Sequence, residues 1–236
     1  MRKSFPESAP DIAALASAIA DPTRVMICTS VLDGRAWTIT ELSKALGLPM
    51  SSASEHIRIL IDRGVLAERR QGRHRYVQIA SADIADWLEH TGALAGERLA
   101  SAPTLSAKTR DRQLLEARTC YRHIAGRLGV QIFSALTSRT WLDDSVNVTD
   151  QGRSHLAEVW GIEVPTTPPS GRPLTRPCLD WTERRTHLGG LVGDEICRVF
   201  LDRDWITRSH GSRALRLTPA GRDELDWVLT TEATQL

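Results

Sequence analysis

Long apolar runs, paired cysteines and excess charge of either sign are all missing from these 236 residues. No stretch approaches the roughly 20 apolar residues of a membrane-spanning helix, so no membrane partner is expected. The basic start MRKSFPESAPD has no apolar run behind it, so no secretory leader is expected. Only four cysteines occur (Cys28, Cys120, Cys178 and Cys197) and they are scattered rather than framed. That argues against a disulfide scaffold and fits a reducing compartment, so the cytoplasm is the expected location. The formal net charge is +1, so any contact with a polyanion has to rest on a local patch. Catalytic signatures are absent too: no Gly-rich nucleotide loop, no G-x-S-x-G, no His-Glu-x-x-His. Cys120 and His123 have the residue types of a nucleophile and base, but no orienting partner accompanies them, so an enzyme is not expected. What remains is ordinary globular material, 41% hydrophobic and 25% charged, with enough length for one or two domains.

The first ninety residues carry a run of helix signals. Residues 11–20, DIAALASAIA, place Ile12, Leu15 and Ile19 on one helical face. Asp21-Pro22 is a cap followed by a first-turn proline, opening a second helix that stops near Asp33-Gly34. Cys28 in that apolar helix reads as a buried small hydrophobe. Thr38-x-x-Glu41 is a capping box for a short helix ending at Gly47. A further helix is expected from Ser51 or Ser52, with Ser52-x-x-Glu55 as a second capping box and Gly64 as its stop. Two short helices around a tight Gly-containing turn are the helix-turn-helix pattern. Next, VLAERRQGRHRYVQIA reads as a β-hairpin turning at Gln71-Gly72, with Arg69, Arg70, Arg73 and Arg75 against a single acid, Glu68. A helix over 82–97 follows.

In this order and spacing, DPTR at 21–24, TELSKALGLPMSSASEHIRIL at 40–60, RGVL at 63–66 and ERRQGRHRYVQI at 68–79 resemble the ArsR (arsenical-resistance-repressor) family of winged helix-turn-helix regulators. The resemblance covers about residues 10–92. It implies a homodimeric transcriptional repressor that leaves its operator when an inducer binds. In such motifs the second helix lies in the major groove with its N-terminal residues against base edges. Here these are Ser51, Ser52, Ser54, Glu55, His56 and Arg58. Thr40 and Lys44 on the preceding helix are candidate backbone clamps. Arg69, Arg70, Arg73, His74 and Arg75 on the wing are candidates for phosphate or minor-groove contact. The bland alternatives are that Ser52 and Glu55 only cap, and that Arg69 pairs with Glu68 or Asp62. One helix and one wing read few base pairs, so a dimer on a pseudo-palindromic duplex site is expected, with the 82–97 and 11–20 helices as the seam. An architectural DNA-binding protein without an effector is the alternative reading.

The sequence beyond residue 97 reads as a linker over 98–115, then a duplicated domain over 116–236. Its two units, 116–163 and 178–236, are joined by the Pro-rich stretch 164–177. Arg122-His123-x-x-Gly126-x-x-Gly129 matches Thr186-His187-x-x-Gly190-x-x-Gly193. Trp141-Leu142 matches Trp205-Ile206, and Thr149-x-x-Gly152 matches Thr218-x-x-Gly221. Each unit reads as helix, Trp-led strand, turn, strand and a Thr-x-x-Gly-opened helix. The fold class is therefore mainly helical α+β: a winged helix-turn-helix domain followed by duplicated helix/β-hairpin units. Around CYRHIAGRLG and CLDWTERRTHLGG this half is similar to the long C-terminal extensions of some ArsR-like proteins. A sensing or dimer-support role is favoured. The second hairpin, with Arg208, Arg213 and Arg216, leaves a further DNA surface as the alternative.

The metal sites that the resemblance implies are missing or incomplete. TITELSKAL carries no Cys-x-Cys, and residues 82–97 carry no second His beside Asp83, Asp86, Glu89, His90 and Glu97. A different set, Cys120, His123, Cys178 and His187, has the donors of a tetrahedral soft-metal site. Cys120 and His123, three apart, are expected on one helical face, whereas Cys178 and His187 are nine apart. That mismatch favours core packing over ligation. A small-molecule effector pocket lined by Trp141, Trp181, Trp205, Arg122 and Arg184, and a thiol switch at Cys120 or Cys178, are the other readings.

Overall fold

The computed structural model describes residues 12–33, 35–72, 74–95, 105–168, 172–209 and 212–231, with the backbone alone at 105–108, 110 and 111. The chain divides into two compact units, residues 1–31 with 35–84, and residues 32–34 with 85–236.

The first unit contains α1 (Ile12–Ile19), α2 (Pro22–Val31), β1 (Trp37–Thr38), α3 (Ile39–Leu46), α4 (Met50–Asp62), β2 (Leu66–Gln71) and β3 (His74–Ile79). The Asp21 carboxylate accepts from the Arg24 amide at 3.0 Å, so α2 starts at Pro22 as its cap requires. Thr38 and Glu41 form the reciprocal box: Glu41 N–H donates to Thr38 Oγ1 at 3.2 Å, and Thr38 N–H to Glu41 Oε2 at 2.7 Å. Gly47, at φ 65°, ends α3 in the left-handed conformation that glycine takes at least cost. Antiparallel strands in the order β1-β3-β2 make the winged sheet. Ile27, Val31, Leu42, Ala53, Ile57, Leu60, Leu66 and Val77 are buried in this unit. Cys28 is buried as well, and burial pushes its thiol up to about 12. The second capping box does not form. α4 starts at Met50, its cap residue is Pro49 and no side chain caps it. The Pro49 carbonyl already accepts the Ala53 N–H at 3.0 Å, which draws Ser51 and Ser52 inside the first turn.

The second unit holds α5 (Ala82–Leu94) from Ala85 onward, then α6 (Leu105–Glu116), β4 (Arg118–Cys120), β5 (His123–Ala125), α7 (Gly126–Ser138) and α8 (Asp150–Trp160). After these come β6 (Arg176–Leu179), β7 (Thr186–Gly189), α9 (Gly190–Asp202), β8 (Ile206–Arg208), β9 (Leu215–Leu217), α10 (Pro219–Glu224) and α11 (Asp226–Leu229). The expected linker is helical from Leu105, while residues 96–104 lie outside the described part. The described residues of the Pro-rich stretch have no regular structure until β6 begins at Arg176, inside the expected connector. α7 and α9 are each preceded by a two-stranded hairpin that sequence patterning missed, because strands of three and four residues are too short to show alternation. Trp141-Leu142 is not a strand; Leu142 and Val148 make one isolated bridge.

The two segments share an order of elements and the same close approaches. α7 packs on β7, while α9 packs on β5, so each helix covers the other segment's hairpin. An added Cβ at Gly129 would lie 2.4 Å from the Ile124 carbonyl oxygen, and one at Gly193 would lie 2.3 Å from that of Leu188. Gly152 and Gly221 meet the carbonyls of Trp141 and Trp205 in the same way, at 2.1 and 2.0 Å. Around them lies an apolar core of Leu128, Ile132, Leu136, Leu156, Trp160, Ile196, Phe200, Leu215 and Leu225. Trp141 and Trp205 belong to this core, Trp141 tilted against Trp227 and Trp205 edge-on to Phe200, which removes them as the walls of an open pocket.

Candidate functional site

On the first unit, α4 presents Ser51, Glu55 and Arg58 to solvent, with Ser52 and Ser54 half-buried. Its first N–H groups lack a side-chain cap, which leaves them free to donate to an anion. Thr40 and Lys44 on α3 are exposed. Arg58 lies 4.0 Å from Asp62 one turn on, an exposed pair worth little. His56 turns instead toward Asp21. Its Nδ1 is 3.8 Å from the carboxylate, buried and without a hydrogen-bond partner among the described residues. On the wing, Arg69, Arg70, His74 and Arg75 are exposed, and Arg73 lies outside the described residues. The register sets Arg70 opposite Arg75. Both reach Glu68, at 3.0 and 2.5 Å. Hydrogen bonds from Arg75 and then Arg70 push the Glu68 carboxyl down to about 2. It is therefore Arg70 and Arg75, not Arg69, that occupy Glu68.

In the second unit the hairpins bring Cys120, His123, Cys178 and His187 together. The one-turn helical relation expected for Cys120 and His123 is replaced by direct cross-strand pairing, Cys120 opposite His123 and Cys178 opposite His187. Loop length alone therefore accounts for the unequal spacing in sequence, and the two pairs have equivalent geometry. All four residues are buried, and one donor atom from each lies within 4.8 Å of all the others. The two sulfurs are 3.8 Å apart and the two imidazoles stack at 5.1 Å between centroids. Hydrogen bonding from Cys120 holds the Cys178 thiol well below its usual range against burial, with His123 and His187 adding to it. The same contact and burial push Cys120 up. Burial alone would lower His123, but Asp194 and Cys178 raise it to about 9.

Sequence reading passed over the residues behind the histidines. Asp180 Oδ2 lies 3.8 Å from His187 Nδ1, and Asp194 Oδ1 lies 3.7 Å from His123 Nδ1. Each carboxylate is clamped by an arginine at 2.9 Å, Arg118 on Asp180 and Arg172 on Asp194. Arg118 and Asp180 are wholly buried. Asp180 also accepts from the amides of Gly126, Thr182 and Glu183 and from the Thr182 hydroxyl. Arg118 and its hydrogen bonds, outweighing burial, hold its carboxyl well below the usual range. Two further ion pairs tie the hairpins to α5. Arg176, two residues before Cys178, pairs with Asp86. Arg213 pairs with Glu89 at 2.7 Å and donates to the Thr119 carbonyl, next to Cys120. Both residues of the Arg213–Glu89 pair are buried, so Arg213 does not present charge to a phosphate as the basic-hairpin reading required.

A helix-turn-helix followed by a basic two-stranded wing defines a DNA-binding protein of the winged-helix class. A family described as a helix-turn-helix domain matches residues 19–69. The HTH-type transcriptional regulator YdfF of Bacillus subtilis is 32% identical over 216 residues, covering 90% of this chain and 94% of YdfF. A match of that length includes most of the second unit. The HTH-type transcriptional regulator NmtR of Mycobacterium tuberculosis is 29% identical over 83 residues, 35% of this chain and 68% of NmtR. The solved 1–100 fragment of a possible transcriptional regulatory protein from Mycobacterium bovis covers 36% of this chain and 91% of its own, at 26% identity and a TM-score of 0.34. The chain belongs to the ArsR-like winged helix-turn-helix transcriptional regulators, with a long C-terminal extension. Among the described residues, no single helix is long and apolar enough to cross a membrane.

Proposed function

We propose that this regulator is a homodimeric repressor that grips a pseudo-palindromic operator through α4 and the wing, and leaves it when an effector binds in the C-terminal half. In this reading residues 1–97 are the DNA-binding domain, 98–115 a linker, and 116–236 a duplicated effector domain. One observation carries it: an exposed, uncapped α4 is followed directly by an exposed wing with Arg69, Arg70, His74 and Arg75 against Glu68. Phosphate contacts from such a wing position the protein, and Ser51, Ser52, Ser54, Glu55 and Arg58 are the side chains within reach of base edges. His56, turned to Asp21, acts by holding α4 to the start of α2. Ile12 on α1 is 70% exposed and Leu94 on α5 is 85% exposed, apolar surface that a second copy would cover.

The test is a gel shift of the full-length chain on duplex DNA from its own upstream region, with sedimentation on the same sample. Two copies per duplex are expected, with binding at least tenfold weaker for Arg70→Ala/Arg75→Ala. A double variant that binds like the parent refutes the wing's role. A single copy per duplex refutes the dimer. Binding that no metal ion, oxidant or small molecule alters would leave an architectural DNA binder.

A further inference from the structure

We propose that Cys120, His123, Cys178 and His187 form a closed tetrahedral site for one borderline-soft divalent cation of the zinc class, and that its occupancy is the signal passed to α5. The regulatory half of this inference rests on the effector-release reading above; the binding half does not.

The donor set is the first argument. Two thiols and two imidazoles are the ligands that zinc-class ions prefer, and four protein ligands close the site. With a metal–sulfur bond of about 2.3 Å, a tetrahedral site places its sulfurs about 3.8 Å apart. The Sγ atoms of Cys120 and Cys178 are 3.8 Å apart. Polar satisfaction is the second argument. His123 Nε2 and both ring nitrogens of His187 are buried and have no hydrogen-bond partner among the described residues. Unsatisfied buried nitrogens on two stacked rings cost free energy that a shared ion would recover. Outer carboxylates are the third. Asp194 and Asp180 stand 3.7 and 3.8 Å from Nδ1 of His123 and His187, placed to accept from that nitrogen when the other ring nitrogen ligates. A carboxylate behind a ligating imidazole is the usual support of a protein metal site. Arg172 and Arg118 neutralise those carboxylates.

Charge selects the ion. Two thiolates and two neutral imidazoles carry two negative charges, so a divalent cation leaves the buried centre neutral, whereas a monovalent ion leaves a net charge there. Binding forms two metal–sulfur and two metal–nitrogen bonds and releases to solvent the proton of each thiol or imidazolium still protonated at its ligating atom. The route outward is short. The Cys178 strand carries Arg176 onto Asp86, and the carbonyl of Thr119, next to Cys120, is held by Arg213, which grips Glu89. Asp86 and Glu89 lie three apart on α5, the helix that runs across the division at Ile84–Ala85. Drawing the two sulfurs onto one ion therefore pulls on α5 at two points.

The experiment uses the full-length chain, reduced and stripped with a chelator, and Co²⁺ as a spectroscopic probe. The expected result is one Co²⁺ per chain with intense tetrahedral ligand-field bands and a thiolate-to-cobalt charge-transfer band, both removed by Zn²⁺. Cys178→Ser is expected to weaken the charge-transfer band and His187→Asn to shift the ligand-field bands, with circular dichroism confirming that each variant folds. Failure of the wild-type chain to take up Co²⁺ overturns the site whatever the variants do. So does a Cys120–Cys178 disulfide in air from a reduced chain that took up none, which would establish a thiol switch instead. A DNA-binding arm separates the two halves. Zn²⁺ is expected to change operator affinity at least tenfold in the parent and not in Cys178→Ser. Unchanged affinity in a chain that binds Co²⁺ overturns the coupling to α5 and keeps the site. Arg70→Ala/Arg75→Ala is expected to lose DNA and keep Co²⁺, so failure of the repressor reading is told apart from failure of the metal site.

Discussion

Glu68 is the one acid on the cationic wing, and replacing it is the sharpest test of how that wing meets DNA. It neutralises Arg70 and Arg75 together, at 3.0 and 2.5 Å, so the three residues carry a net charge of one. A protein that neutralises Z phosphates loses affinity with salt at a slope of about −0.9Z on B-DNA. With Glu68 in place the trio counts as about one phosphate neutralised. In Glu68→Gln it counts as about two, so the slope steepens by about 0.9. Between 50 and 200 mM salt, about a fourfold change, the variant then loses roughly 3.5-fold more affinity than the parent. Exposed ion pairs contribute at most about 1 kcal/mol to stability, so the fold survives the change. Because the effect is on phosphates, any duplex serves. Fluorescence anisotropy on one labelled random-sequence duplex at four salt concentrations measures it. A Glu68→Gln slope equal to or flatter than the parent's would refute the assignment of Arg70 and Arg75 to phosphate.

Two further substitutions test the second unit. Asp180→Asn removes the counter-charge of wholly buried Arg118, an imbalance that costs about 3–5 kcal/mol. At roughly 2–4 °C per kcal/mol for a unit of this size, melting is expected to fall by about 10 °C. A shift under about 2 °C in calorimetry would show that the pair is not held as described. Gly193→Ala drives a Cβ to 2.3 Å from the Leu188 carbonyl oxygen, so a loss of about 1–3 kcal/mol is expected in a urea titration. Gly92→Ala, in α5 with nothing within 4 Å, is the control and is expected to gain up to about 1 kcal/mol. Shifts of the same sign in both would contradict the close approach of α9 to the Leu188 carbonyl.

The winged half was legible in the sequence because its signals are local. Thr38 with Glu41, Asp21 with Pro22, and Gly47 each act within about four residues, so reading the chain in order reads the structure, although the hairpin turns one residue later than Gln71-Gly72 because Gln71 pairs with His74. A local signal that misled outright was Ser52-x-x-Glu55. A cap is effective only at the residue where the helix begins, and Pro49 begins α4 earlier. In the second half, the Gly and Trp correspondences were legible for the same reason, as repeated words in one chain.

What only the tertiary structure decided is the meaning of the residues between those words. Cys120 and His123 read as one helical turn, and Cys178 and His187 as an unrelated spacing, until two short hairpins set each pair directly across a strand. Asp194, Arg118 and Arg172 carry no mark in sequence, since their partners lie 71, 62 and 22 positions away. The Arg213–Glu89 pair spans 124 positions and turned an apparent DNA-binding cation into a buried tie. Secondary structure follows from interactions within a few residues, so composition and order determined the winged helix-turn-helix and the repeated framework. Burial and charge compensation depend on which distant segments share one core, so only the packed chain could bring two thiols, two imidazoles and their supporting carboxylates to one place.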